Sequence, residues 1–265
     1  MSFIKKTLST CGIGSAKVDS VLQQDVLYPG EKANIAIYVY GGSSDQLIDN
    51  IDVRLCCRYI ADVLDLNKDP SDTHRERVHK THVLATWSLP YPFSINPGEE
   101  RRFNVEFKLP WNMPITVGDT KVWLETGLDI SMVLDPTDKD ILTVRPDPML
   151  DAVFSTFEYL GFRLRRVECE AINGFSLPFV QEFEFVPITG PYHGCWREIE
   201  IIANRDEKQL TFWFGIDRIQ KEQDAMEMLA SLLEKGKLEH HIRFPISTSI
   251  ADIGQKVFDY LEEVT

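Results

Sequence analysis

Asp65, Asn67, Asp69 and Glu76 stand at positions 1, 3, 5 and 12 of a calcium-loop pattern, whose oxygens would wrap a hard cation. Position 6, where that loop needs glycine for a sharp bend, is Pro70, and proline fixes φ at about −65°. The flanks read as strands, so a solvated acidic hairpin loop is expected instead. His74, His79 and His82 suggest a zinc set only by count. On a strand rising about 3.3 Å per residue, His74 and His82 share a face about 26 Å apart, and His79 points the other way. His240 and His241 are neighbours that face opposite sides. Zinc ligands must converge within about 2 Å of one ion, so surface or edge histidines are expected, with no metal and no cofactor.

The nucleophiles are equally unpromising. No G-x-S-x-G is present, and the cysteines, Cys11, Cys56, Cys57, Cys169 and Cys195, show no C-x-x-C spacing. Cys56 and Cys57 sit in a strand pattern, one inward and one outward, as packing residues. Glu182 and Glu184 share a strand face about 6.6 Å apart by strand rise, within the range of paired glycosidase carboxylates. Alternating acids on a strand usually form its solvent face or pair with basic residues, and that is the expectation here. No G-x-G-x-x-G or phosphate loop occurs. Trp87, Trp111, Trp123, Trp196 and Trp213 are dispersed, as core and rim residues of a β-sandwich are, rather than grouped as a stacking platform. With no catalytic set, the chain is expected not to be an enzyme.

The balance of 41 acidic against 28 basic residues, a net charge of −13, repels phosphate backbones and anionic membranes, which excludes general nucleic-acid binding. No segment approaches the roughly 20 apolar residues that span a bilayer. Nor does an apolar run follow Lys5 and Lys6. An odd number of thiols suits a reducing compartment, so the expected location is cytoplasmic. Phe3, Ile4, Leu8 and Cys11 with Lys5 and Lys6 form a short amphipathic turn, too short for a strong membrane anchor and expected to dock on the protein's own surface.

The elements that must position these residues are mostly strands. Phe103, Val105, Phe107 and Leu109 alternate with Arg102, Asn104, Glu106 and Lys108. Ile35, Ile37 and Val39 do the same, as do Val53, Leu55, Cys57 and Tyr59, with further candidates near 76–89, 121–133 and 139–145. No crossover helices intervene, so an antiparallel sandwich is expected. Tyr28-Pro29-Gly30-Glu31 and Asn96-Pro97-Gly98-Glu99 both read as type II turns, proline presetting the first central dihedral and glycine supplying positive φ at the second. Pro146 and Pro148 flank Asp147 as a linker. Asp147 can cap a helix with Pro148 at its first position, and Leu150, Val153, Phe157 and Leu160 give that helix one apolar face. Beyond it, Phe179, Gln181, Phe183 and Phe185 form one strand face. Ile199 and Ile201 pair with Leu210, Phe212, Phe214 and Ile216 in a hairpin across Asn204 to Lys208. The expected domains are 1–146, a β-sandwich, and 147–265, a smaller β domain ending in a helical segment from about 221.

Within that segment Ala225, Met228, Leu229, Leu232 and Leu233 share a side until Gly236. The last helix is the sharpest. Ser249 and Asp252 form a capping pair, and Ile250, Ile253, Val257, Tyr260 and Val264 follow at spacings of three and four. A helix this short does not hold its shape alone in water. Its stripe needs cover from its own domain, from a second copy in a homodimer, or from another protein, and these five residues are the candidate docking or partner surface.

The opening Met1-Ser2-Phe3-Ile4-Lys5-Lys6 and the run Gly12-Ile13-Gly14-Ser15-Ala16-Lys17-Val18-Asp19 resemble the bacterial sporulation-control family, the stage zero sporulation protein M family. Thr116 to Trp123, Thr126 to Ile130, Asp135-Pro136-Thr137-Asp138 and Pro178 to Pro187 extend the resemblance. It implies an arrestin-like amino-terminal sandwich; with the periodicity beyond it, the expected fold is mainly β, two arrestin-like antiparallel β-sandwich domains with a short linker helix and C-terminal helices. The resemblance further implies no enzymatic activity and control of entry to sporulation; the missing catalytic set and the acidic surface add the expectation of a regulatory protein that works by binding other proteins. The alternative is a calcium- or carbohydrate-binding β-sandwich module, suggested by the acidic loop at Asp65 and the tryptophans.

Overall fold

The computed structural model describes residues 14–64, 75–89, 92–130, 137–218 and 241–264. The amino-terminal turn, the acidic loop from Asp65 through His74, His240 and the helical pattern from Ala225 to Gly236 lie outside them. The chain is mainly antiparallel β and divides into two compact units. The first is Met1–Cys57, His82–Met113 and Lys121–Val144; the second is Arg58–Thr81, Pro114–Thr120 and Arg145–Thr265.

Unit 1 is built from two sheets. One has the order β1 (Lys17–Leu22), β2 (Lys32–Tyr40) and β6 (Glu100–Lys108). In the other, the first part of β3 (Gln46–Leu64) pairs with β7 (Val122–Ile130), which pairs with β8 (Thr137–Ile141). Both β4 (Arg75–Leu89) and β5 (Phe93–Ile95) also pair with β3. The alternating residues of β2 and β3 fill the core: Ile35, Ile37, Val39, Val53, Leu55 and Cys57 are all at most 1% exposed. The period of two, not intrinsic preference, decides which side chains enter it. Cys56, expected to face outward, is buried as well.

In unit 2 five consecutive antiparallel strands lie side by side, β9 (Phe162–Ala171), β10 (Phe179–Pro187), β11 (Trp196–Arg205), β12 (Gln209–Arg218) and β13 (His241–Pro245), and Ile60 near the end of β3 pairs in parallel with Glu170 of β9. Helix α1 (Pro148–Tyr159) begins at Asp147, whose carboxylate accepts from the backbone N–H groups of Met149 and Leu150 at 2.8 and 3.4 Å. Its other oxygen takes Arg205 Nε at 3.2 Å, and both side chains are less than 10% exposed. Arg205 also donates to the carbonyls of Asp206 and Gln209. One buried ion pair thus ties the start of α1 to the β11–β12 turn. Phe157 stacks on Phe185 at 4.9 Å, and Phe154 tilts against Phe183 at 4.9 Å, so the helix covers one sheet face. The last helix, α2 (Ile250–Glu263), is capped by Ser249 and packs beside α1. Among the described residues no helix is long and apolar enough to cross a membrane.

The second unit also recruits two segments from earlier in the chain, where a division at residue 146 would keep each domain contiguous. Gln181 is the reason for one of them. Its side-chain amide accepts from Ile115 N–H at 2.9 Å and donates to Ile115 C=O at 2.8 Å and Thr120 Oγ at 3.1 Å. It thereby replaces a strand neighbour for 114–120. The other segment is held by Arg77, which binds Glu168 at 3.0 Å and also Glu170, and by Tyr59 stacked on Phe179 at 5.2 Å.

Candidate functional site

Two features of unit 2 gather groups that could bind or react. The first is a carboxylate face on β9–β12. Glu182 and Glu184, expected on a solvent face or paired with basic residues, are each only 4% exposed. The alternation was right, but this sheet is covered on both faces. Val180, Ile202 and Trp213 form a small core of their own beside the acids, with Ile172 and Phe175 packed on it. Two β-bulges supply the countercharge. The register of β9 skips Arg165 between Arg166 and Leu164, and that of β11 skips Arg197 between Trp196 and Glu198. A bulge bends the strand and re-aims its extra side chain. Arg165 and Arg166 consequently both reach Glu184, the latter at 3.2 Å, while Arg165 also binds Glu198. Arg197 holds Asp217 at 3.0 Å.

Carboxylate oxygens of Glu184, Glu198 and Glu200 lie within 4.8 Å of one another, close enough to share a cation. Guanidinium groups already occupy Glu184 and Glu198, however, so a metal would have to displace them. Burial raises the Glu198 carboxyl above its ordinary range, the Glu184 charge adds to this, and Arg165 opposes it. Burial likewise raises Glu170, helped by a hydrogen bond with Glu168. Chemically this is a charge network stitched across four strands. Among the described thiols Cys56, Cys57 and Cys169 are buried and Cys195 is exposed. Burial pushes Cys169 up to about 12, and burial followed by the Glu125 charge raises Cys56, which leaves both as protonated packing groups.

The second feature is the pair of helices. Of the sequence-predicted surface, Ile253 and Val257 are fully buried within unit 2. Tyr260 is half-buried, its ring 5.0 Å from Phe214. Val264 is half-buried at the helix end, whereas Ile250 is 51% exposed. Leu261, fully buried, was missed, although it continues the four-residue row Ile253–Val257 that a helix stacks on one side. Beside this buried row lies a groove of about 700 Å³ between α1 and α2. Its walls approach closely because Gly254 has no side chain: a Cβ there would sit 3.0 Å from Thr156 Oγ. Tyr159, 88% exposed, and Ile250 flank it. Of the histidines weighed as metal ligands, His79 is exposed and His82 and His241 are half-buried. Trp123, Trp196 and Trp213 are buried packing residues.

A two-sheet unit and a sheet covered with helices, in which Glu184, Glu198 and Asp217 are paired with arginines, define a mainly β protein with an open groove between α1 and α2. The chain belongs to the Spo0M family: it matches the model described as SpoOM protein over residues 4–220. It is 37% identical over 268 aligned residues to the sporulation-control protein spo0M of Bacillus subtilis (strain 168), covering all of this chain and 98% of that protein. The crystal structure of Spo0M from Bacillus subtilis superposes with a TM-score of 0.78 at 33% identity, covering 95% of this chain and 98% of that one.

Proposed function

We propose that this protein is a regulator in the control of sporulation that works by binding other proteins and makes or breaks no bond itself. The observation that carries the reading is the contrast within unit 2. The buried Glu184 and Asp217 are committed to arginines, while the α1–α2 surface leaves a groove with Tyr159 and Ile250 open beside it. A site for chemistry would need a reactive group within reach of a substrate; a binding surface needs exposed apolar anchors beside a pocket. The process comes from the relatives, which are named for sporulation control. Location in the cytoplasm fits that role.

The test is affinity purification of the full chain from host cells at the onset of sporulation, followed by reconstitution with each purified candidate. A saturable complex with at least one protein supports the reading. A chain that forms no such complex, or that turns over a substrate at Glu184, contradicts it.

A further inference from the structure

We infer that the groove between α1 and α2 receives an amphipathic helix of another protein, with basic residues flanking its apolar face. The floor includes Ala152, Thr156 and Gly254, and the walls include Tyr159, Ile250 and Phe258. Small residues below and large apolar residues at the sides let a third helix settle between two, ridge into groove. A partner strand has nothing to pair with here, because backbone groups in a helix interior are already bonded within the helix.

Charge selects among the remaining occupants. Helix α1 carries Asp151 and Glu158 with no cation, and α2 carries Asp252, Asp259, Glu262 and Glu263 against Lys256 alone; all of these side chains are exposed. Asp151 is the acid on the rim of the groove, and together with the other acids of the same two helices it repels nucleic-acid phosphates and anionic lipid headgroups. It also disfavours a second copy, since a two-fold interface sets the same patch against itself and would bring these acids together. A helix with lysines or arginines beside its apolar anchors meets both the floor and the rim.

This inference rests on the reading that the protein acts by binding other proteins, and the two fail differently. The probe is a helical peptide with leucines at i, i+3, i+4 and i+7 and lysines on its flanks, compared with a counterpart whose lysines are glutamates. The full chain should bind the lysine peptide saturably, and the glutamate peptide at least about tenfold more weakly. Tyr159→Ala and Asp151→Lys, both at exposed positions, should each weaken the lysine peptide several-fold without changing the melting temperature. Equal binding of both peptides, no binding, or variants that bind like the parent would overturn the inference. So would a concentration-dependent dimer that Tyr159→Ala abolishes, since a second copy would then be the occupant. A native partner that binds these variants normally would leave the binding role standing and remove the groove from it. Failure to find any native partner would remove the role itself.

Discussion

At the scale of single residues, the two Pro-Gly-Glu turns show how far local chemistry reaches. Gly30 and Gly98 both have positive φ, +78° and +73°, as type II turns require. A Cβ on Gly98 meets nothing, but one on Gly30 would fall 2.3 Å from the Trp111 ring. Gly98→Ala should therefore cost about 1 kcal/mol, the penalty for left-handed backbone, and Gly30→Ala distinctly more, measured by urea unfolding. The turns were legible in the sequence; the ring against one of them was not, because Trp111 is 81 positions from Gly30. The alternating acids were expected as a solvent face or as partners of basic residues; the second holds at Glu184, and the burial was not legible for a related reason. Alternation separates two faces of a strand without saying which is wet, and a bulge that delivers Arg165 to Glu184 leaves no trace in a pattern of apolar residues. The buried pair Asp147–Arg205 gives a larger effect. Arg205→Ala leaves a carboxylate without its partner at about 7% exposure and should cost about 3–5 kcal/mol. Glu198 adds a pH signature. Its folded pKa is raised, chiefly by burial, so the folded state holds its proton more tightly than the unfolded chain does. Its contribution to stability falls as pH rises from the ordinary carboxylate value through the raised one. The melting temperature of Glu198→Gln relative to the parent should thus climb across that window, and a difference flat with pH would argue against the assignment.

At the scale of elements, the two helices were the most legible parts of the second unit, since Asp147-Pro148 and Ser249 announce their starts and the three-and-four spacing continues from there. The sequence could not say what covers the last one. In the structure Ile253, Val257 and Leu261 are fully buried in their own unit, so Val257→Asp should bury an unpaired charge and destabilise the protein by several kcal/mol. Tyr159→Ala, on the open side of the same helix pair, should change stability by less than about 0.5 kcal/mol. Paired thermal melts check both. The clamp on 114–120 was not legible at all: Gln181 reads as one more core-facing position of β10, and its role depends on a segment 66 residues earlier. Gln181→Leu keeps the bulk but orphans the Ile115 N–H and C=O, at a cost of about 1–3 kcal/mol. Amide exchange at Ile115 should quicken well beyond that of the β10 core.

At the scale of the whole molecule, sequence and structure agree on a mainly β chain of the Spo0M family, and the net charge of −13 is where molecular scale meets the site. In unit 2 Glu184, Glu198 and Asp217 are paired with arginines brought by bulges, and Asp151 lines the helix groove with further exposed acids on the same two helices. That division is why the protein is read as a binder whose partners are basic and apolar at once. It also sets the most direct test of the account, which is the frequency of heat-resistant spores in the protein's own host when the chromosomal copy carries Tyr159→Ala with Asp151→Lys. The account predicts a changed spore frequency at unchanged protein abundance and melting temperature, moving in the same direction as deletion of the whole gene. Spore counts that follow the parent, while the deletion strain departs from it, would contradict the claim that this surface is how the protein acts.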